Sequence, residues 1–383
     1  MIRSKIESLL QDSEQKESSG DLKGALLAAH QALDLARSDG SEPVSLRVLL
    51  RVVILDCRTG NYAEVRELAE EILTRTQDTP EAVEALVSLG ITAAETNDIQ
   101  VGEQYFFQAA EISRAIQYPA GLGRALHNQA ASVYFVEGKF TLALATMEEA
   151  NQLKMEGGSE TWGLPFLQAL TYQTIGDRKR ARQAMDAFLP EVRPGTRIAG
   201  GYYYLWARLT LDDEELEKAE EYLYLALRIA NQSASPDLNI WVRMEYSRLF
   251  RLRGEPATAN TWAEDACRYS QRLPSIYFFG QSMMEHARTC WETGDRAQAF
   301  EDLDIAIEQF TKLTANFDLS YALLLKAVWL AQDEKAGAVE TWQLAVKLIL
   351  QGGYTFILER ERKLAFPLMA RYLRSRDSAV REP

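Results

Sequence analysis

The chain has 383 residues, 47% of them hydrophobic and 25% charged, a balance that excludes wholesale disorder. Its formal net charge of −13 argues against a surface built to neutralise nucleic-acid phosphates. No run of about 18 apolar residues occurs, and the start, MIRSKIESLLQDSEQKE, has no apolar stretch of the signal-peptide kind. The expectation is a cytoplasmic protein with no membrane partner and no direct nucleic-acid binding.

In chain order, a short turn, usually glycine followed by a polar residue, recurs between apolar-periodic segments. It stands at Gly20-Asp21, Gly60-Asn61, Asn97-Asp98, Gly138-Lys139, Gly176-Asp177, Gly254-Glu255 and Gly294-Asp295, with degenerate copies near Glu214 and Asp333. The eight steps from Gly20 to Asp333 average about 39 residues, a regularity that marks an internal repeat. Small residues follow each turn by five and twelve positions, commonly with a bulkier apolar residue nine after it. These are Ala143, Met147 and Ala150 in the fourth copy, Ala219, Leu223 and Ala226 in the sixth, and Ala299, Leu303 and Ala306 in the eighth. The seventh copy has Ala259, Ala263 and Ala266, and the second has Val65 and Ile72 at the small positions, which predicts wider packing there. Steps of four and three put such a trio on one helical face, where small side chains let two helices approach closely.

A further helical segment precedes each turn, as in Ala125 to Glu137, Tyr202 to Leu211 and Trp241 to Arg253. Pro80, Pro119, Pro236 and Pro274 fall in the connections between copies, where a helix has to end. A two-helix unit cannot bury its own apolar stripe, whereas stacked units can. The predicted fold is all-α: a right-handed superhelical α-solenoid of about nine helix-turn-helix repeats over residues 1–350. A C-terminal cap and tail over 351–383 complete it. In the cap, Gly352-Gly353 ends a helix, Tyr354 to Leu358 is a short apolar run, and Lys363 to Arg374 is a last amphipathic helix.

The best copy, with Gly138, Phe140, Ala143, Met147 and Ala150, resembles the tetratricopeptide repeat, although the step here exceeds the usual length of about 34 residues. The longer step looks like the sensor solenoids of large bacterial transcription regulators, the maltose-activator-like proteins. The segment LILQGGYTFILERERKLAFPLMARYL, Leu348 to Leu373, is similar to the closing segment of such solenoids. In those proteins a DNA-binding or transcriptional activation domain follows, so the resemblance implies an excised module or a stand-alone relative.

No catalytic constellation is legible, and the expectation is a protein that is not an enzyme. His30, His127 and His286 lie in three different repeats with no metalloprotease or nucleophile-elbow motif near them. Gly138-Lys139 lacks the strand and glycine spacing of a phosphate loop. Cys57, Cys267 and Cys290 are far apart and form no C-x-x-C, which predicts buried free thiols and neither a metal nor a cofactor.

First helices of such repeats line a concave groove, where recognition usually happens. Aligned on their turns, Arg208, Arg248 and Arg288 share one phase at 40-residue steps, with Tyr204, Trp241 and Trp291 nearby. A ladder of this kind could clamp carboxylates or phosphates and stack on planar groups. The alternative is structural pairing, with Glu245 and Glu285 three residues before Arg248 and Arg288. Asn128 is a polar candidate for the same groove in the fourth copy. The chain therefore reads as a binding module for a protein or peptide partner, or for a small inducer, in the manner of a regulator's sensor; the other reading is a generic adaptor.

Overall fold

The computed structural model describes residues 2–18, 21–39, 44–157, 164–189, 192, 196–232 and 235–374, with side chains described only to 153 in the third of these stretches. Among the described residues there are twenty α-helices and no strand. Eighteen helices form nine successive pairs. They are α1 (Ile2–Ser18) with α2 (Leu22–Asp39), α3 (Leu46–Thr59) with α4 (Tyr62–Arg75), and α5 (Pro80–Glu95) with α6 (Ile99–Ala115). Next come α7 (Pro119–Gln129) with α8 (Phe140–Gly157), α9 (Leu164–Thr174) with α10 (Arg178–Phe188), and α11 (Arg197–Asp212) with α12 (Leu216–Gln232). The last three are α13 (Pro236–Leu252) with α14 (Pro256–Ser270), α15 (Ile276–Thr293) with α16 (Arg296–Lys312), and α17 (Asn316–Gln332) with α18 (Ala338–Gly352). The cap is α19 (Phe356–Arg360) followed by α20 (Arg362–Leu373).

The turns have a common cause. Gly60, Gly138, Gly176, Gly254 and Gly294 all have φ between 77° and 93°, the left-handed region that closes a helix C-terminus. Where glycine is missing, Asn97 at 74°, Glu214 at 59° and Glu334 at 53° adopt the same conformation at some steric cost. The degenerate copies near Glu214 and Asp333 are thus true repeat turns; Gly20 lies outside the described residues. Pro80, Pro119 and Pro236 stand at the first position of their helices, where a missing N–H costs nothing.

The small positions are the seams. Ala143, Met147, Ala150, Ala219, Leu223, Ala226, Ala299, Leu303 and Ala306 are all fully buried, as are Val65 and Ile72 in the second copy. A closed seam cannot accept volume, so Ala306→Leu should destabilise the protein by roughly 1–2 kcal/mol in urea denaturation. An unchanged midpoint would mean that Ala306 does not sit at a helix contact.

One expected helix is broken. In place of a continuous segment from Ala125 to Glu137, α7 stops at Gln129 and residues Ala130–Tyr134 form a π-helical turn. The wider turn inserts a residue into the helical phase, so positions beyond it do not keep the four-residue spacing from Asn128 that an ordinary helix would give.

The contacts divide the chain into two compact units. The first comprises residues 1–133 and 141–164, the second residues 134–140 and 165–383. The cap helices α19 and α20 belong to the second unit. The first unit has a core built around Leu33, Leu49, Val52, Leu68 and Ile72. The second is centred on Met185, Phe188, Leu205, Leu223, Val242 and Leu249.

Candidate functional site

In the second unit the first helices of successive pairs pack against one another, α11 on α13 and α13 on α15. This sets Arg208, Arg248 and Arg288 in a row, and each is partnered by the chain itself. Arg208 donates to the Tyr204 hydroxyl at 2.9 Å, and its Nε lies 3.4 Å from Glu245. Arg248 pairs with Asp212 at 2.5 Å and with Glu245 at 3.4 Å. Arg288 donates from both terminal nitrogens to one oxygen of Glu361, at 3.1 and 3.0 Å, and from one of them to the Tyr321 hydroxyl at 2.6 Å. The pairing alternative describes these contacts, with one change of partner. Glu285 pairs with Arg251 at 2.9 Å, and Arg288 pairs with a residue of the cap.

The cap segment fills this face. Tyr354, 4% exposed, donates its hydroxyl to the Gly138 carbonyl at 3.1 Å. A Cβ on Gly138 would come within 2.5 Å of that hydroxyl oxygen and 2.9 Å of Phe317 Cβ, so glycine there permits the approach as well as the turn. Phe140, Phe317, Tyr354 and Phe356 form one aromatic group. Phe317 meets Phe140 edge-on at 5.1 Å and Tyr354 edge-on at 5.5 Å, and stacks on Phe356 at 5.7 Å. Ile357 is 1% exposed. Arg360 donates to the carbonyls of Gln173 and Thr174 at 3.0 and 3.1 Å, the C-terminal end of α9, where a helix welcomes a cation. Glu361 accepts from Arg288 and from the Tyr321 hydroxyl. Residues 354–361 are thus held by aromatic contacts at one end and ionic contacts at the other.

The electrostatics follow from burial among unlike charges. Burial works to raise the Asp212 carboxyl, yet the Arg248 and Arg360 guanidinium groups outweigh it and hold the pKa at about 2. Glu361 behaves likewise: burial is opposed and overcome by Arg288 and the Tyr321 hydroxyl, and its pKa is also about 2. Asp318, 4% exposed, goes the other way. Burial raises it to about 6, because the amide of Gln281 and the hydroxyl of Tyr277 compensate only in part.

The other candidate residues have ordinary neighbours. Tyr204 is 3% exposed and stacks on Trp241 at 5.5 Å; Trp241 is half-buried and also meets Phe166 and Phe278. Trp291 stacks on Trp329 at 4.8 Å, with Arg296 over its ring at 4.8 Å. Asn128 lies in the first unit, where its amide donates to the Arg124 carbonyl one turn earlier at 2.8 Å. Sequence reasoning missed Asp212, Tyr321, Tyr354, Arg360 and Glu361, since only the tertiary fold brings the cap to these helices. It also missed a group on the other side of α15, where His286, Cys290 and Asp302 converge.

No protein-family model matches the chain, and no curated protein matches it either. Solved structures do. A Rap protein complexed with competence and sporulation factor superposes with a TM-score of 0.59 at 14% identity, over 84% of this chain and 93% of that one. NprR in complex with its cognate peptide NprX gives 0.55 at 15% identity, over 85% and 100%. A human IFIT1 dimer with PPP-AAAA gives 0.52 at 16% identity, over 94% and 88%. The fold is a helical-repeat solenoid of the tetratricopeptide type. No helix among the described residues is long and apolar enough to cross a membrane.

Proposed function

We propose that the chain is a non-enzymatic, cytoplasmic binding module. Its second unit takes an extended segment of a protein or peptide partner on the first-helix face, at the place its own residues 354–361 now fill. The observation that carries this reading is the seating of that segment, with Tyr354 against Gly138 and Glu361 between Arg288 and Tyr321. A face that holds one short stretch of chain through an aromatic anchor and a carboxylate has the chemistry to hold another. The preferred partner carries an aromatic residue and an acidic residue a short distance apart, matching the Phe140 and Phe317 rings and the Arg288 guanidinium. Two of the similar structures are complexes with a peptide or a named factor, which supports the same use here. The likeness of Leu348 to Leu373 to the closing segment of bacterial regulator sensors supports a sensory role in transcription, for a peptide first and a small inducer second.

Occupation by the chain's own segment lowers the fraction of molecules open to a partner, and apparent affinity falls by that fraction. A fluorescein-labelled peptide copying residues 353–364 should therefore bind the full-length Tyr354→Ala/Glu361→Ala variant at least about tenfold more tightly than the unaltered protein. Fluorescence anisotropy reads this directly. Equal or absent binding by both proteins would remove the face as a peptide site.

A further inference from the structure

We propose that His286, Cys290 and Asp302 form a binding site for a divalent transition-metal ion of the zinc type, set between α15 and α16. Spacing along the sequence hides it. His286 and Cys290 are one helical turn apart on α15, which puts both on one side of that helix, and Asp302 comes from the paired helix α16. Arg288, two residues along from His286, points to the first-helix face instead, so the metal cluster is separate from the peptide site.

The distances suit a single ion. The Nδ1 of His286 lies 2.6 Å from Asp302 Oδ2, and the Cys290 sulfur is 4.0 Å from each of those two atoms. Zinc bound at about 2.0–2.1 Å to nitrogen and oxygen and about 2.3 Å to sulfur, with tetrahedral angles, needs edges of about 3.3–3.6 Å. The short edge must open by about 0.7 Å and the two long ones close by about half an ångström, and the imidazole must turn, since the sulfur now lies nearer its Nε2, at 3.6 Å; side-chain torsions can supply these shifts. The hydrogen bond between His286 and Asp302 holds the proton that an ion would displace, so binding should release a proton and weaken in acid. Asn260 offers a fourth oxygen, its Oδ1 lying 3.7 Å from the Cys290 sulfur, and a water molecule could serve instead.

The donor set selects the ion. A thiolate and an imidazole favour zinc, cobalt and their neighbours over magnesium or calcium, which prefer all-oxygen cages. The carboxylate supplies charge in a buried setting, Asp302 being 1% exposed and Cys290 4% exposed. Gln298 donates to the other Asp302 oxygen at 2.9 Å and so fixes the carboxylate's orientation, the usual task of a second layer of contacts. An ion here would tie α15 to α16 and, through Asn260, to α14.

Cobalt(II) is the spectroscopic probe. Titrated into the reduced full-length protein, it should give visible ligand-field bands and a near-ultraviolet thiolate-to-cobalt band that saturate at one ion per chain and that zinc displaces. Cys290→Ser should abolish the thiolate band, and Asp302→Asn should weaken cobalt binding at least about tenfold. Cys57→Ser, altered in the first unit, should change neither. Both site substitutions are nearly isosteric, and the unaltered protein alone already decides the first question. A titration without a thiolate band at stoichiometric cobalt, or a band that survives Cys290→Ser, would overturn the proposal.

Discussion

Glu361→Ala should destabilise the protein by about 2–4 kcal/mol, the largest effect expected of any single change on the first-helix face. The carboxylate is 11% exposed and its partner Arg288 14% exposed, so removing it leaves a largely desolvated guanidinium without a counter-charge. The Tyr321 hydroxyl loses its acceptor as well. Some solvent reaches both groups, which trims the cost below that of a fully buried pair. Urea denaturation at neutral pH measures it, and Glu361→Gln, which keeps an acceptor, should lose distinctly less. The pH dependence has a definite sign. Glu361 has its carboxyl depressed to about 2 from an ordinary 4.5, so its contribution is present above pH 4.5 and disappears as the pH falls towards 2. The gap between the unaltered protein and the alanine variant should close over that window. A loss below about 0.5 kcal/mol at neutral pH would mean the cap is not seated on this face.

Asp318→Asn should have the opposite effect, stabilising the protein by about 2–3 kcal/mol near pH 8. Asp318 is raised from 3.8 to about 6, chiefly by burial, so ionising it in the folded state costs free energy that the unfolded chain does not incur. Between about pH 4 and 6 the folded form binds the extra proton, and stability therefore falls as pH rises through that range. Asparagine cannot ionise and keeps polar atoms for the Tyr277 hydroxyl and the Gln281 amide, which now lie 3.1 and 3.3 Å away. The advantage of the variant should be full above about pH 6 and absent below about pH 4. Thermal melts at pH 4 and pH 8 separate the two, and an advantage of the same size at both would locate the effect in packing instead of charge.

These two carboxylates show what sequence could and could not convey. The repeat was legible because its causes are local: a left-handed turn residue such as Gly138 or Gly254, a small residue such as Ala299 or Ala306 at a fixed distance, and proline where a helix begins. Even the turns without glycine, at Glu214 and Glu334, kept their place because the helices on either side fix the step. The common phase of Arg208, Arg248 and Arg288 was legible for the same reason. Their partners were not, since Asp212 lies a whole repeat before Arg248, and Glu361 stands 73 residues beyond Arg288. The π turn at Ala130–Tyr134 was not legible either, because a single residue inserted into a short apolar segment shifts its phase without any turn residue to mark the place. The metal-type cluster needs a contact between two helices, and cysteine spacing alone steers away from it.

Amide hydrogen exchange on the intact protein reports the seating of residues 354–361 against the first-helix face of the second unit. The amides of Ile357, Leu358, Glu361, Leu364 and Ala365 donate within the chain's own backbone, as Ile357 does to Tyr354 and Glu361 does to Ile357, so a seated segment should exchange slowly at these positions. Protection there should be comparable with α13 and α15, and lost selectively in the Glu361→Ala variant while those two helices stay protected. Exchange of the segment at the rate of an unstructured chain in the unaltered protein would contradict this seating.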